Sequence, residues 1–159
     1  MNQKGQSLIE ALIALGAAAL IVSAISVAVI TAVNSADYSK YENQATHLAQ
    51  QGIEVLKQSS QANWNAFNAD SNLATHCLNS SNQFSAEFNC PLDLSVDPNI
   101  SPNFMRQVDL MRDSGCGAND IYGKVDVYWN DGRCKSPSYY CHKVELDSCF
   151  ADINKVTPL

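Results

Sequence analysis

Cysteine is missing from the first 76 residues, and charge is missing from residues 11–33 altogether. Neither that run nor residues 34–60 contain a proline, so nothing there forces a helix to break. Basic residues are few, ten against sixteen acidic ones, and they are spread singly. A formal net charge of −6 without a Lys/Arg cluster argues against a chain-wide nucleic-acid footprint. No Gly-rich phosphate loop, His-Glu-x-x-His motif or supported Ser-His-Asp set occurs, so no catalytic residue is offered and an enzyme is not expected. No cysteine pair is spaced as Cys-x-x-Cys, so no metal and no cofactor are expected, although His142 stands beside Cys141. Asp120, Asp126 and Asp131 fit no EF-hand spacing and read as turn formers and solvated strand positions. His47, His76 and His142 are scattered and read as surface or strand residues.

What fills residues 11–33 is mostly Ala, Leu, Ile and Val. As a helix, this run extends roughly 35 Å at ~1.5 Å per residue, enough for a bilayer core of ~30 Å. Glu10 sits at its leading edge, where a carboxylate is costly in lipid, by about 2.5–3.5 kcal/mol near a helix centre and less toward an end. A secretory signal peptide would have a shorter apolar region followed by a small-residue cleavage site. A plain anchor gives no reason for Glu10. Lys4 and the amino terminus precede the helix, which favours an N-terminus retained inside. All six cysteines lie beyond it, between Cys77 and Cys149, which suggests an oxidising compartment for the remainder of the chain.

The order Lys4, Gly5, Gln6-Ser7, Leu8-Ile9-Glu10 and then a long apolar helix, GQSLIEALIA at its start, resembles the class III leader of type IV pilins and type II secretion pseudopilins. In that family a membrane peptidase cuts after the glycine and methylates the new N-terminus, and a glutamate four residues on is retained. The resemblance implies cleavage between Gly5 and Gln6, N-methylation of Gln6, and a role for Glu10 in pairing with a subunit's α-amine during assembly. Gln6 stands where most of the family has Phe, and no proline interrupts the helix near Val27, which points to a minor subunit or pseudopilin rather than a major pilin. A second segment, HLAQQGIEVLKQSSQANW at residues 47–64, resembles a run common in minor-pilin-like proteins. The expected partners are other pilin subunits, the prepilin peptidase, an assembly platform and the membrane. The expected location is a single-pass inner or cytoplasmic membrane with the head outside, then a surface pilus or periplasmic pseudopilus. The alternative is a membrane-anchored binding module for adhesion or DNA capture, with nucleic acid disfavoured by the acidic charge except through a local patch at a filament tip.

Residues 34–60 carry Tyr38, Tyr41, Ala45, Leu48, Gly52 and Val55 at intervals of three and four, an amphipathic helix with Lys40, Glu42, Glu54 and Lys57 on its polar side. Gly52 costs about 1 kcal/mol against Ala in a helix, which suggests close approach of the head's backbone. Residues 63–103 lack a sustained period and read as a connecting region with little regular structure. Beyond it, three alternating runs read as antiparallel strands with inner faces Phe104/Arg106/Val108/Leu110, Val125/Val127/Trp129 and His142/Val144/Leu146/Phe150. Asn130-Asp131-Gly132 marks the turn between the last two. Arg106 falls on the inner face, and snorkelling to the sheet edge is the expected resolution.

The layout is therefore α+β: leader 1–5, spanning and assembly half of the helix 6–33, amphipathic half 34–62, connecting region 63–103 and an antiparallel, disulfide-stapled head 104–159. Cys141 and Cys149 would lie ~26 Å apart on a continuous strand at ~3.3 Å per residue and could not bridge each other. Of the 15 connectivities six cysteines allow, the favoured one is Cys77–Cys90, Cys134–Cys141 and Cys116–Cys149.

Overall fold

The computed structural model describes residues 3–69, 74–84, 100, 103–112, 115–117, 119–135 and 140–152, with side chains from Leu8 onward. A single helix, α1 (Gln3–Ala62), opens the chain. A short helix α2 (Trp64–Phe67) follows, then strands β1 (Thr75–Cys77), β2 (Phe104–Met111), β3 (Ile121–Trp129) and β4 (His142–Phe150). The chain divides into two compact units, Met1–Lys40 and Tyr41–Leu159.

In the first unit, Leu8, Ile9 and every large apolar side chain on to Val33 are at least 54% exposed. The helix is long and apolar enough to cross a membrane. Three of its hydroxyls are turned inward on the helix itself. Ser23, Ser26 and Thr31 each donate to the carbonyl four residues back, of Ala19, Val22 and Val27, at 2.8–2.9 Å. A hydroxyl satisfied by its own helix needs no outside partner, so these three tolerate apolar surroundings.

The second unit is a four-stranded antiparallel sheet in the order β1-β2-β3-β4, with residues 41–62 of α1 supplying the apolar helix face of its core. Period-2 alternation places the inner residues as the sequence implies: Phe104, Val108 and Leu110 on β2, Val125, Val127 and Trp129 on β3, and Phe150 on β4 are buried. Register matches them across the sheet, with Val108 opposite Val125 and Val127 opposite Val144. Gly132, at φ +81°, closes the turn after β3, and its N–H donates to Asn130 Oδ1 at 2.6 Å.

Four particulars differ from the sequence reading. There is a fourth strand, β1, inside the segment expected to be connecting region, as is α2, whose first turn Asn63 caps by accepting from the Ala66 N–H at 3.0 Å. β1 is only three residues long; its pairing of Cys77 with Gln107 and Thr75 with Asp109 makes it a strand, and no local alternation announces it. The buried stripe of α1 is Ala45, Ala49, Gly52, Leu56 and Ser60, with Leu48 and Val55 only partly covered and Tyr38 exposed. Small residues sit at the centre of that stripe because the sheet comes very close. An added Cβ at Gly52 would lie 2.7 Å from Val125 Cγ1 and 3.4 Å from Arg106 Cδ, so the approach is to side chains of β2 and β3 and not to backbone. Finally, Arg106 does not snorkel. It is 1% exposed, beneath the helix.

Candidate functional site

In the first unit the sequence singles out Gly5, Gln6 and Glu10. All three are helical; the side chain of Gln6 lies outside the described residues. Glu10 is exposed. At helical spacing it shares a face with Ile13, Ala14 and Ala17, so its carboxylate lies among apolar neighbours.

In the second unit the guanidinium of Arg106 occupies the space beneath α1. Its Nη1 donates to the Leu48 carbonyl at 2.9 Å, and Nη2 donates to the Asn79 carbonyl and to Asn82 Oδ1 at 2.9 and 2.8 Å. Nε reaches the Leu78 carbonyl at 3.4 Å. Burial lowers its pKa to about 10, still far above neutral, so a cation sits in the core. One side chain thereby ties the helix to the chain that follows β1, a use of arginine's rigid fork of donors.

The outer face of the sheet carries a ladder of ion pairs. Lys124 Nζ lies 3.0 Å from Asp109 Oδ2 and 3.2 Å from Asp126 Oδ2. Lys143 Nζ lies 2.6 Å from Glu145 Oε2 and 3.5 Å from Asp126 Oδ1. Thr75 adds its hydroxyl to Asp109. Burial alone would lift Asp109, but the Thr75 hydroxyl, Lys124 and Gln107 hold it below the usual carboxylate range. Burial alone would lower Lys124, whereas bonds to Asp109 and Asp126 raise it above the ordinary lysine range. Sequence inspection missed this ladder because it depends on which residues the register places opposite each other.

Two disulfides are present among the described residues. Cys116–Cys149 joins the approach to β3 to the end of β4, Cα–Cα 5.7 Å, and Cys134–Cys141 closes the loop before β4, Cα–Cα 5.4 Å. Cys77 is also disulfide-bonded; Cys90, its expected partner, lies outside the described residues. The 134–141 bridge has company. Asp131 Oδ2 lies 3.4 Å from His142 Nε2 and 2.9 Å from Arg133 Nε, and the His142 ring stacks on Trp129 at 5.2 Å. Burial pushes the Asp131 carboxyl up, while the Arg133 amide and guanidinium and His142 outweigh that and hold it low. The adjacency of Cys141 and His142 was the one signal of this cluster in the sequence. His76 sits edge-on to Phe84 at 5.6 Å beside a mainly apolar cavity of about 220 Å³ that Ser59, Phe67 and Leu110 also line. His47 is exposed on α1.

Against family models, curated proteins and solved structures alike, the chain finds no match.

Proposed function

We propose that the chain is a structural subunit, a minor pilin or pseudopilin, of a type IV pilus-like filament, and a substrate of the prepilin peptidase rather than an enzyme. The observation that carries this reading is one helix with exposed Leu, Ile and Val from Leu8 to Val33 and a lone carboxylate, Glu10, five residues after Gly5. Such a surface suits lipid before assembly and the apolar flanks of neighbouring helices after it. The inward-turned hydroxyls of Ser23, Ser26 and Thr31 support the same reading, since both surroundings are dry. The head, held by disulfides, would coat the outside.

Glu10 then acts through register. Cleavage after Gly5 creates an α-amine at Gln6, and both charges enter a packed apolar core as a subunit joins the filament. Attraction between them grows as the effective dielectric falls from ~80 toward ~20. An unpaired buried charge costs about 3–5 kcal/mol, so a misplaced subunit is rejected although the correct pair contributes little net stability. N-terminal mass spectrometry of membrane or filament fractions should show loss of residues 1–5 and a methylated Gln6. Glu10→Ala should still be inserted and cut but poorly incorporated, and Glu10→Lys should be worse. A chain that retains Met1 sinks the family reading; wild-type incorporation of Glu10→Lys sinks the charge pairing.

A further inference from the structure

Among the described residues, one cluster gathers four metal-ligating side chains, and a disulfide closes it. Asp131, Cys134, Cys141 and His142 place one ligand atom each within 4.8 Å of all the others. We propose that these four residues form a redox-gated site for a zinc-class divalent cation, shut while Cys134 and Cys141 are bridged and opened by reduction.

The geometry is close to what such an ion requires. Asp131 Oδ2 and His142 Nε2 stand 3.4 Å apart. The edge of a tetrahedron with ~2.0 Å zinc–oxygen and zinc–nitrogen bonds is ~3.3 Å, so these two already have the spacing of neighbouring ligands. Once unbridged, the two sulfurs need only part to ~3.8 Å, the edge for ~2.3 Å zinc–sulfur bonds. Stacking on Trp129, 27° from parallel, fixes the plane of the imidazole. The Arg133 amide donates to Asp131 Oδ1 at 3.0 Å, which orients the carboxylate with Oδ2 toward His142. That is the outer support a ligating carboxylate ordinarily has. The competitor is Arg133 Nε, now on Oδ2. Its side chain is 48% exposed, so it can turn to water when a cation arrives.

Opening the site needs a reductant, which we name by class as a dithiol. It breaks the Sγ–Sγ bond, delivers two electrons and two protons, and is itself oxidised to a disulfide. The resulting thiols release their protons to solvent as thiolates bind the metal, giving two thiolates, one carboxylate and one neutral imidazole around it. Two thiolates and an imidazole favour zinc over magnesium or calcium.

The test uses the full chain in detergent micelles, reduced with a phosphine, desalted without air and titrated with cobalt(II), a visible stand-in for zinc. The reduced chain should take up about one equivalent with tetrahedral ligand-field bands and thiolate-to-metal charge transfer, zinc should displace it, and the oxidised chain should show neither. His142→Gln and Asp131→Asn should each weaken binding about 10–100-fold while forming the same disulfides when oxidised. Cys134→Ser/Cys141→Ser should abolish it. Reduced protein that takes no cobalt, or oxidised protein that takes as much, overturns the proposal. So does binding that survives removal of these two cysteines, because the remaining thiols then hold the metal. Cobalt affinity left unchanged by His142→Gln also overturns it, since an unfolded reduced chain binds metal without that imidazole.

Discussion

Arg106 binds four separate acceptors of the head from one buried side chain. Its fork reaches the carbonyls of Leu48, Leu78 and Asn79 and the amide oxygen of Asn82, so its loss removes a charge-assisted partner from each. Arg106→Met should lower the stability of the head by about 2–4 kcal/mol, read as a shift in the urea midpoint. Arg106→Lys should not rescue it, because an ammonium cannot span three carbonyls. Asp109 and Asp131 make a second prediction at this scale. Their folded pKa values are depressed, so the stability they contribute is complete above the unfolded carboxylate range and is lost as pH falls through the folded values. The melting temperature should therefore fall below about pH 4 on their account and not between pH 5 and 7. Asp109→Asn should flatten part of that acid limb. An acid limb identical in wild type and Asp109→Asn would remove this carboxylate from the explanation. Lys124 has the opposite sign: its contribution is full at neutral pH and is lost only as pH rises past the ordinary lysine range.

At the centre of its buried stripe α1 meets the sheet through Ala49 and Gly52, and that contact sets how much substitution the helix tolerates there. Gly52→Ala gains about 1 kcal/mol of helix propensity. It also drives a Cβ to 2.7 Å from Val125 Cγ1, and a β-branched valine has little freedom to turn away. Overpacking of this kind costs about 1–3 kcal/mol, so the net effect should be a loss. Pairing Gly52→Ala with Val125→Ala should recover part of it in a double-mutant cycle; simple additivity of the two would mean that they do not meet. The strands were legible because a pleated strand repeats every two residues, and β2, β3 and β4 are eight or nine residues long, enough to show which residues share a face. β1 was not. Its three residues cannot display a period, and only the free edge of β2 makes them a strand.

For the whole molecule, the disulfides define how far the head depends on covalent ties. The Cys116–Cys149 bridge spans 33 residues and the Cys134–Cys141 bridge spans 7. Loop-closure entropy then makes the first worth about 3.5–4 kcal/mol and the second about 2.5 kcal/mol. Cys116→Ser/Cys149→Ser should therefore lower the melting temperature more than Cys134→Ser/Cys141→Ser, as measured by thermal unfolding in micelles; the reverse order would show that native-state effects outweigh the entropy. The sequence alone determined the α+β class, the charge-free helix and the inner face of each long strand, because composition and period are local properties of a chain. It marked Gly5, Gln6 and Glu10 by their order. Register, burial and proximity belong to the tertiary structure. Packing moved the helix stripe onto Ala49 and Leu56 and drew Arg106 under the helix. Strand pairing put Lys124 between two carboxylates. The turn and bridge before β4 brought Asp131 to His142, because only a folded chain brings the two ends of that loop together.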